Sequence, residues 1–405
     1  MKIALVCDSM SAYGGAERVI EQILHLYPTA DVFAVLDLVP AEQRKFLQDR
    51  SIQCSFLQRL PGINAYYRKL LEFWSYAVEQ LDVTRYDLVI SSHHSVAYGV
   101  LTRPGQVHVS YVHSPMRYAW DLQHEYLRNA GLDYGVMGVL ARRTLHHMRL
   151  WDYAAAQRPD AVATNSFFVA DRLWKIHRRR AEVIYPPVID RGSRSNSAAK
   201  GGYYLSVGRL VPYKRVDLLA QAFARMPGRR LKIVGEGPDM RKLAALRVPN
   251  VELLGYQPED RMADLFAGAD AFLFAGVEDF GIAAVEAQAA GTPVIAYNGG
   301  GLVETVIGTD QPNPTGLFFD EQSEAAIIAA VAEFEQNAHR FDPEACIANA
   351  ARFSAHRFRD EFSLYVEEAL VSASKLAKGR MTGRSASSAP VPSKNELAQV
   401  VDRAV

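Results

Sequence analysis

The chain is poor in the features that mark several common protein classes. Its 405 residues include only three cysteines, Cys7, Cys54 and Cys346. They lie far apart with neither metal spacing nor a disulfide pattern, so a reducing compartment is the simplest reading. Net charge is missing too: 45 basic residues balance 45 acidic ones. No global field then favours nucleic acid or an anionic membrane, and any such affinity has to come from a local patch. No apolar run approaches the ~20 residues that span a bilayer. The opening "MKIALV" is interrupted by Cys7 and Asp8 too soon for the apolar region of a signal peptide, so it reads as a buried strand and the expected location is cytoplasmic. No D-x-D follows a strand, and the neighbours His93 and His94 lack a nearby third ligand. Neither a metal nor another cofactor is expected.

What is present is apolar residue in quantity, 49% of the chain, enough for two domains with cores of ordinary size. Short apolar runs alternate with segments of helical spacing. "KIALVCD", "ADVFAVL", "YDLVIS", "HVSYVH" and "AVATNS" occupy the first half; "YYLSVGR", "RLKIVGEG", "VELLGY", "AFLFAG" and "PVIAYN" occupy the second. This alternation predicts α/β architecture with two doubly wound parallel sheets. The pattern breaks at "PPVIDRGSRSNSAAKGG", residues 186 to 202, which divides the chain into a first domain over 1–188 and a second over 200–372, its last helix able to cross back. The polar, Ser/Pro-rich stretch 380–405 is expected to be a mobile tail. Two such domains face each other across a cleft, with ligands at the carboxyl ends of the strands.

Several candidates stand at those ends. Gly14 and Gly15 in "SMSAYGGAERVI" follow the first strand and precede a helix, either as a plain tight turn or as a place where backbone approaches a ligand. The GxGxxG spacing of a dinucleotide site is missing. His113 ends a strand in "YVHSPMRYAWD", as a satisfied imidazole or a site residue. Arg209 and Lys214 in "SVGRLVPYKRVD" form either a solvated basic turn or a diphosphate grip, the guanidinium forking onto oxygens and the ammonium adding a point charge. In "GVEDFGIAAVEAQAAG" the backbone N–H groups of Phe280, Gly281 and Ile282 open a helix that suits an anion. Asp279 reads as its N-cap. Glu278 before that helix and Glu286 inside it flank the anion position, which suits hydroxyl groups on either side of a diphosphate: a nucleotide sugar.

On these residues the chain resembles the retaining glycosyltransferases of the two-Rossmann-domain GT-B fold, family 4. "EDFGIAAVE" matches their E-x7-E signature, and "GGAERV", "VGRLVPYKRVD", "IVGEGP" and "GTPVIAYNGGGLVE" extend the match. The resemblance implies that Arg209 and Lys214 hold the donor diphosphate, Glu278 contacts the transferred sugar and Glu286 the ribose. It implies further that the Gly14–Gly15 loop lies near sugar and phosphates, Tyr256 near the base, and His113 by the donor sugar. "YVHSPMRYAWD" is similar to bacterial mannosyltransferases that use GDP-mannose in surface polysaccharide assembly. That implies a lipid-linked saccharide acceptor and no nucleic-acid partner. A UDP- or ADP-sugar donor, an epimerase or phosphorylase activity, and a non-catalytic sugar-nucleotide-binding scaffold are the alternatives. In "FLQRLPGINAYYRKLLEFW" and "LARRTLHHMRLWDY", basic residues interleave with apolar ones, as in helices packed on a sheet or faces resting on an anionic bilayer.

Overall fold

The computed structural model describes residues 1–188 and 200–383, with residues 376–383 as backbone. Most of the inter-domain stretch and the part of the predicted tail beyond 383 lie outside the described residues. Seven parallel strands build the first domain: β1 (Ile3–Met10), β2 (Asp31–Asp37), β3 (Ile52–Cys54), β4 (Leu88–His93), β5 (Val107–Val112), β6 (Ala161–Thr164) and β7 (Glu182–Val183). They run in the order β3-β2-β1-β4-β5-β6-β7. Helices α1 (Gly15–Leu26), α2 (Leu71–Glu79), α3 (Gln123–Asn129), α4 (Gly135–Ala155) and α5 (Phe167–His177) accompany them.

The second domain repeats the plan with β8 (Tyr204–Val207), β9 (Leu231–Val234), β10 (Val251–Gly255), β11 (Ala271–Phe274), β12 (Val294–Tyr297) and β13 (Gly316–Phe319). Their order is β10-β9-β8-β11-β12-β13. Around them lie α6 (Val216–Ala224), α7 (Met240–Ala245), α8 (Glu259–Gly268), α9 (Ile282–Ala289), α10 (Leu302–Thr305), α11 (Glu324–Gln336), α12 (Pro343–Ala351) and α13 (Ala355–Gly383). The α/β reading with two doubly wound sheets is what the chain adopts. The ten apolar runs are strands, because sheets covered on both faces want continuous apolar segments. Sequence reading missed β3, β7 and β13, the outermost or nearly outermost strands, two to four residues long, which carry too few positions to show a period.

The order of each sheet reverses between its first and fourth strands, β1 beside β4 and β8 beside β11, and chain leaving those strands opens onto a crevice. One carboxylate fixes the first of these crevices. Asp8, buried at the end of β1, accepts from the backbone N–H groups of His94 and Ser95 on one oxygen and of Val96 and Ala97 on the other, at 2.6–2.9 Å. Four otherwise orphaned donors of the turn after β4 are satisfied by one side chain.

The last helix does not stay with the domain that precedes it. Phe358, Phe362 and Val366 of α13 are buried in the first domain's core beside Leu5, Val109 and Tyr111. The rings of Phe358 and Phe362 meet Tyr111 edge-on at 5.7 and 6.1 Å, and the Tyr365 hydroxyl donates to the carbonyl of Val162 at 2.8 Å. A satellite cluster of Val188, Phe280, Val285, Ala350 and Phe353 packs the end of the first domain against α9 and α12. Phe362→Ala is accordingly expected to destabilise the first domain, by about 3–5 kcal/mol for loss of a buried ring. The measurement is the denaturant midpoint of that domain's unfolding; an unchanged midpoint would mean that α13 contributes nothing to this core.

Candidate active site

Between the two crevices lies a cavity of about 710 Å³. Gly14, Gly15 and His113 line it from the first domain, and Arg209, Lys214, Tyr256, Glu278, Phe280, Gly281, Ile282 and Glu286 from the second. Residues as far apart in sequence as 14 and 286 thus share one space. The structure also adds neighbours that composition and spacing did not reveal.

Glu286 is one such case. It is buried in α9, and its carboxylate pairs with the Arg18 guanidinium of α1 at 2.7 Å across the cleft. Sequence reading passed over Arg18, although a signal was available: a cation close to a helix N-terminus opposes the dipole and needs a compensating partner. Glu278 pairs with Lys214 at 2.7 Å, and its backbone forms an isolated parallel bridge with Gly300. Burial acts to lower the Lys214 ammonium, but Glu278 together with Tyr213 outweighs it, so the pKa ends above its ordinary value. By contrast, the exposed Arg209 guanidinium has no ion-pair partner among the described residues. Tyr256 is also exposed at the rim, 65% accessible.

One local expectation is corrected. Asp279 does not cap α9. The helix begins at Ile282, and the N-cap is Gly281 in a left-handed conformation, φ 90° and ψ 51°, which an L side chain rarely adopts. Asp279 turns instead to the first domain, where its two oxygens take Arg117 and, at 2.8 Å, Arg172. Phe280 offers the cavity backbone only, because its ring is buried against Phe353 at 5.3 Å. Gly15 has a reason beyond ligand approach: a Cβ there would stand 2.6 Å from Ile282 Cδ1. A side chain there would force the tip of Ile282 to shift. Gly14 is the extended N-cap of α1; it has no side chain to accept from the helix, and its N–H donates to the Glu17 carboxylate at 3.1 Å.

His113 sits at the cavity wall, its Nε2 2.8 Å from Ser92 Oγ. Desolvation, with a smaller contribution from His94, lowers its pKa to about 3. The imidazole is therefore neutral at physiological pH and can act through hydrogen bonds, not charge. Among the described residues no group of three His, Cys, Asp or Glu is arranged to hold a metal ion.

Comparison with known proteins places the fold. The sequence model of Glycosyltransferase Family 4 matches residues 13–190, and that of Glycosyl transferases group 1 matches residues 192–353. Anabaena HepE, solved in complex with UDP and glucose, superimposes with a TM-score of 0.64 at 18% identity, covering 91% of this chain and 99% of that one. This is the GT-B glycosyltransferase fold. Sucrose-phosphate synthase from Thermosynechococcus elongatus shares it, with a TM-score of 0.59 at 18% identity over 95% of this chain and 100% of the other.

In sequence, the GT-B chain is 32% identical over 219 residues to a D-inositol 3-phosphate glycosyltransferase of Mycobacteroides abscessus, covering 48% of each. It is 40% identical over 144 residues to a GDP-mannose-dependent alpha-(1-6)-phosphatidylinositol monomannoside mannosyltransferase of Mycobacterium tuberculosis, covering 31% of this chain and 36% of the relative. The chain thus spans about half or less of the length of these relatives.

Burial of neutral histidines sets a pH dependence. His93 and His108 are lowered with His113, burial being the main cause in each, and His108 likewise falls to about 3. The unfolded chain takes up these protons near pH 6.5 while the folded one does not. Folding stability is therefore at its full value above about pH 6.5 and declines as pH drops toward the folded values. The melting temperature is expected to fall steadily from pH 6.5 to 4. In NMR titration the His113 ring should stay neutral at pH 5, whereas a midpoint near 6.5 would show it to be solvated.

Proposed function

We propose that this chain is a retaining glycosyltransferase that moves a hexose, mannose from GDP-mannose, to a lipid-linked saccharide in polysaccharide assembly. The observation that carries the proposal is one cavity combining Arg209, Lys214 and the start of α9 with a carboxylate at each side, Glu278 and Glu286, and His113 on the facing domain. Cations and helix N–H groups suit a diphosphate, while the carboxylates suit the hydroxyls of a sugar and a ribose. The mannosyltransferase relative supports mannose and guanosine; the UDP and glucose in HepE support a uridine nucleotide as the alternative donor.

In this reading the diphosphate lies between Arg209 and the N–H groups of Gly281 and Ile282, with Lys214 shared between Glu278 and the incoming oxygens. The bond from the anomeric carbon to the leaving phosphate oxygen breaks as negative charge gathers on the diphosphate, which the fixed cations and dipoles stabilise without reorganising. An acceptor hydroxyl attacks from the leaving-group face. Its oxygen bonds to the anomeric carbon, and its proton passes to a diphosphate oxygen. Glu278 orients the sugar hydroxyls, Glu286 takes the ribose alongside Arg18, and neutral His113 offers a hydrogen bond to the sugar. Tyr256 lies where the base enters. The protein's own residues suffice for diphosphate charge, and no metal is invoked.

Thermal-shift titration tests the donor. GDP-mannose should raise the melting temperature with concentration, by the equivalent of about 2.7 kcal/mol at a hundredfold excess over Kd; a response only to uridine nucleotides would reassign the base. Lys214→Ala and Glu278→Gln are expected to lower turnover about 10²–10³-fold, the usual size for loss of one transition-state contact. A binding scaffold would show no turnover to lose, and an inverted anomer in the product NMR spectrum would overturn retention.

A lipid-borne acceptor also asks for a membrane-facing surface. No helix among the described residues is long and apolar enough to cross a bilayer. However, α4 and its approach leave Tyr134, Val136, Met137, Val139 and Leu140 exposed, with Arg143, His146 and His147 exposed farther along the helix. Such a helix can lie in the headgroup region. Val136→Asp with Met137→Asp should abolish co-sedimentation with anionic vesicles; wild-type protein remaining in the supernatant would remove this part of the reading.

A further inference from the structure

Asp279 sits beside Glu278 but belongs to a different network. One of its oxygens takes Arg117; the other takes Arg172 of α5 at 2.8 Å. Arg172 also grips Asp121 with two N–H groups at 2.9 and 3.1 Å, and both arginines approach Ser114 Oγ, at 3.1 and 3.3 Å. Arg117 further lies over the ring of Tyr213 in the second domain, 5.0 Å from its centroid. Asp279 is 7% accessible, so this is a desolvated contact between domains, a setting in which removal of one partner leaves uncompensated charge.

The first-domain half of the contact is itself held firmly. Trp120 Nε1 donates to the buried Asp152 at 2.7 Å, and His177 Nε2 lies 2.7 Å from the same oxygen. Arg149 donates to the carbonyl of Ala119 at 2.8 Å. The segment 114–121, which follows directly on His113, is thus fixed from behind before it reaches across the cleft. A second carboxylate repeats the polarity a short way off: Glu304 of α10 accepts from the N–H groups of Phe167 and Phe168, each at 2.8 Å, capping α5 from the opposite domain. In both cases the second domain supplies the carboxylate and the first the donors.

We propose that Asp279 is a positioning residue that clasps Arg117 and Arg172 and so sets Glu278, one residue before it, against the strand end that carries His113. The clasp acts on alignment of the two domains, not on capture of the donor, whose diphosphate and base are gripped in this reading by Arg209, Lys214, the start of α9 and Tyr256 of the second domain. This rests on the glycosyltransferase reading above. Its consequence is a division of labour between adjacent acids: Glu278 toward the sugar, Asp279 toward the facing domain.

The test compares wild-type protein with Asp279→Asn and with Arg172→Gln, whose side chain is outside the cavity. Each variant should lower kcat at least tenfold while the Kd for GDP stays within threefold of wild type, and each should enlarge the radius of gyration of the ligand-free protein in solution scattering. Arg117→Gln combined with Asp279→Asn should cost little more than either alone. A kcat within twofold of wild type, a tenfold weaker GDP affinity in both variants, or an unchanged scattering profile would overturn the clasp. If one variant fails to fold, the other decides. Absence of turnover by wild-type protein with every nucleotide sugar would instead refute the activity, leaving scattering to judge the clasp alone.

Discussion

Opposite charge facing opposite charge across the cleft is the constraint on which the rest of the molecule depends. Arg18 meets Glu286, Arg117 and Arg172 meet Asp279, and the N-terminus of α5 meets Glu304. Each contact sets a donor of the first domain against a carboxylate of the second. Ion pairs of this kind add little net stability, because desolvation offsets much of the Coulomb attraction. Their value is geometric: they fix which face of one domain meets which face of the other. Gly15 brings the backbone of α1 close to the Ile282 side chain, and the Arg18–Glu286 pair ties the same turn of α1 to α9.

Apolar packing then makes the two domains one body. The chain passes from the first to the second domain through a single stretch and returns in α13, whose Phe358 and Phe362 complete a core that begins at Ile3. A hinge motion of the second domain must accommodate this returning helix and the aromatic cluster of Phe280 and Phe353. That cluster touches the loop bearing Glu278, so motion of the hinge and geometry of the site are mechanically joined.

The site is economical in its use of charge. Lys214 and Glu278 hold each other, as do Arg18 and Glu286, leaving the Arg209 guanidinium without an ion pair among the described residues. Paired groups are held in place before a ligand enters and lose little freedom when it does.

The alternation of apolar runs was enough to show two parallel sheets, because a strand covered on both faces must be apolar along its whole length wherever it occurs. Glycine pairs, strand-end cations and two carboxylates eight residues apart were legible as site candidates, since ligands in such folds meet the carboxyl ends of strands. Short edge strands escaped because two to four residues carry no period. Asp279 was misjudged because local helix chemistry favours an acid at that position, whereas two arginines more than a hundred residues upstream decided its direction. Arg172 and Asp8 were invisible in function for the same reason. The architecture and the inventory of chemical groups could be read from the chain alone, since both follow from local pattern. Which charge faces which emerged in three dimensions, because it depends on how two separately wound sheets approach each other.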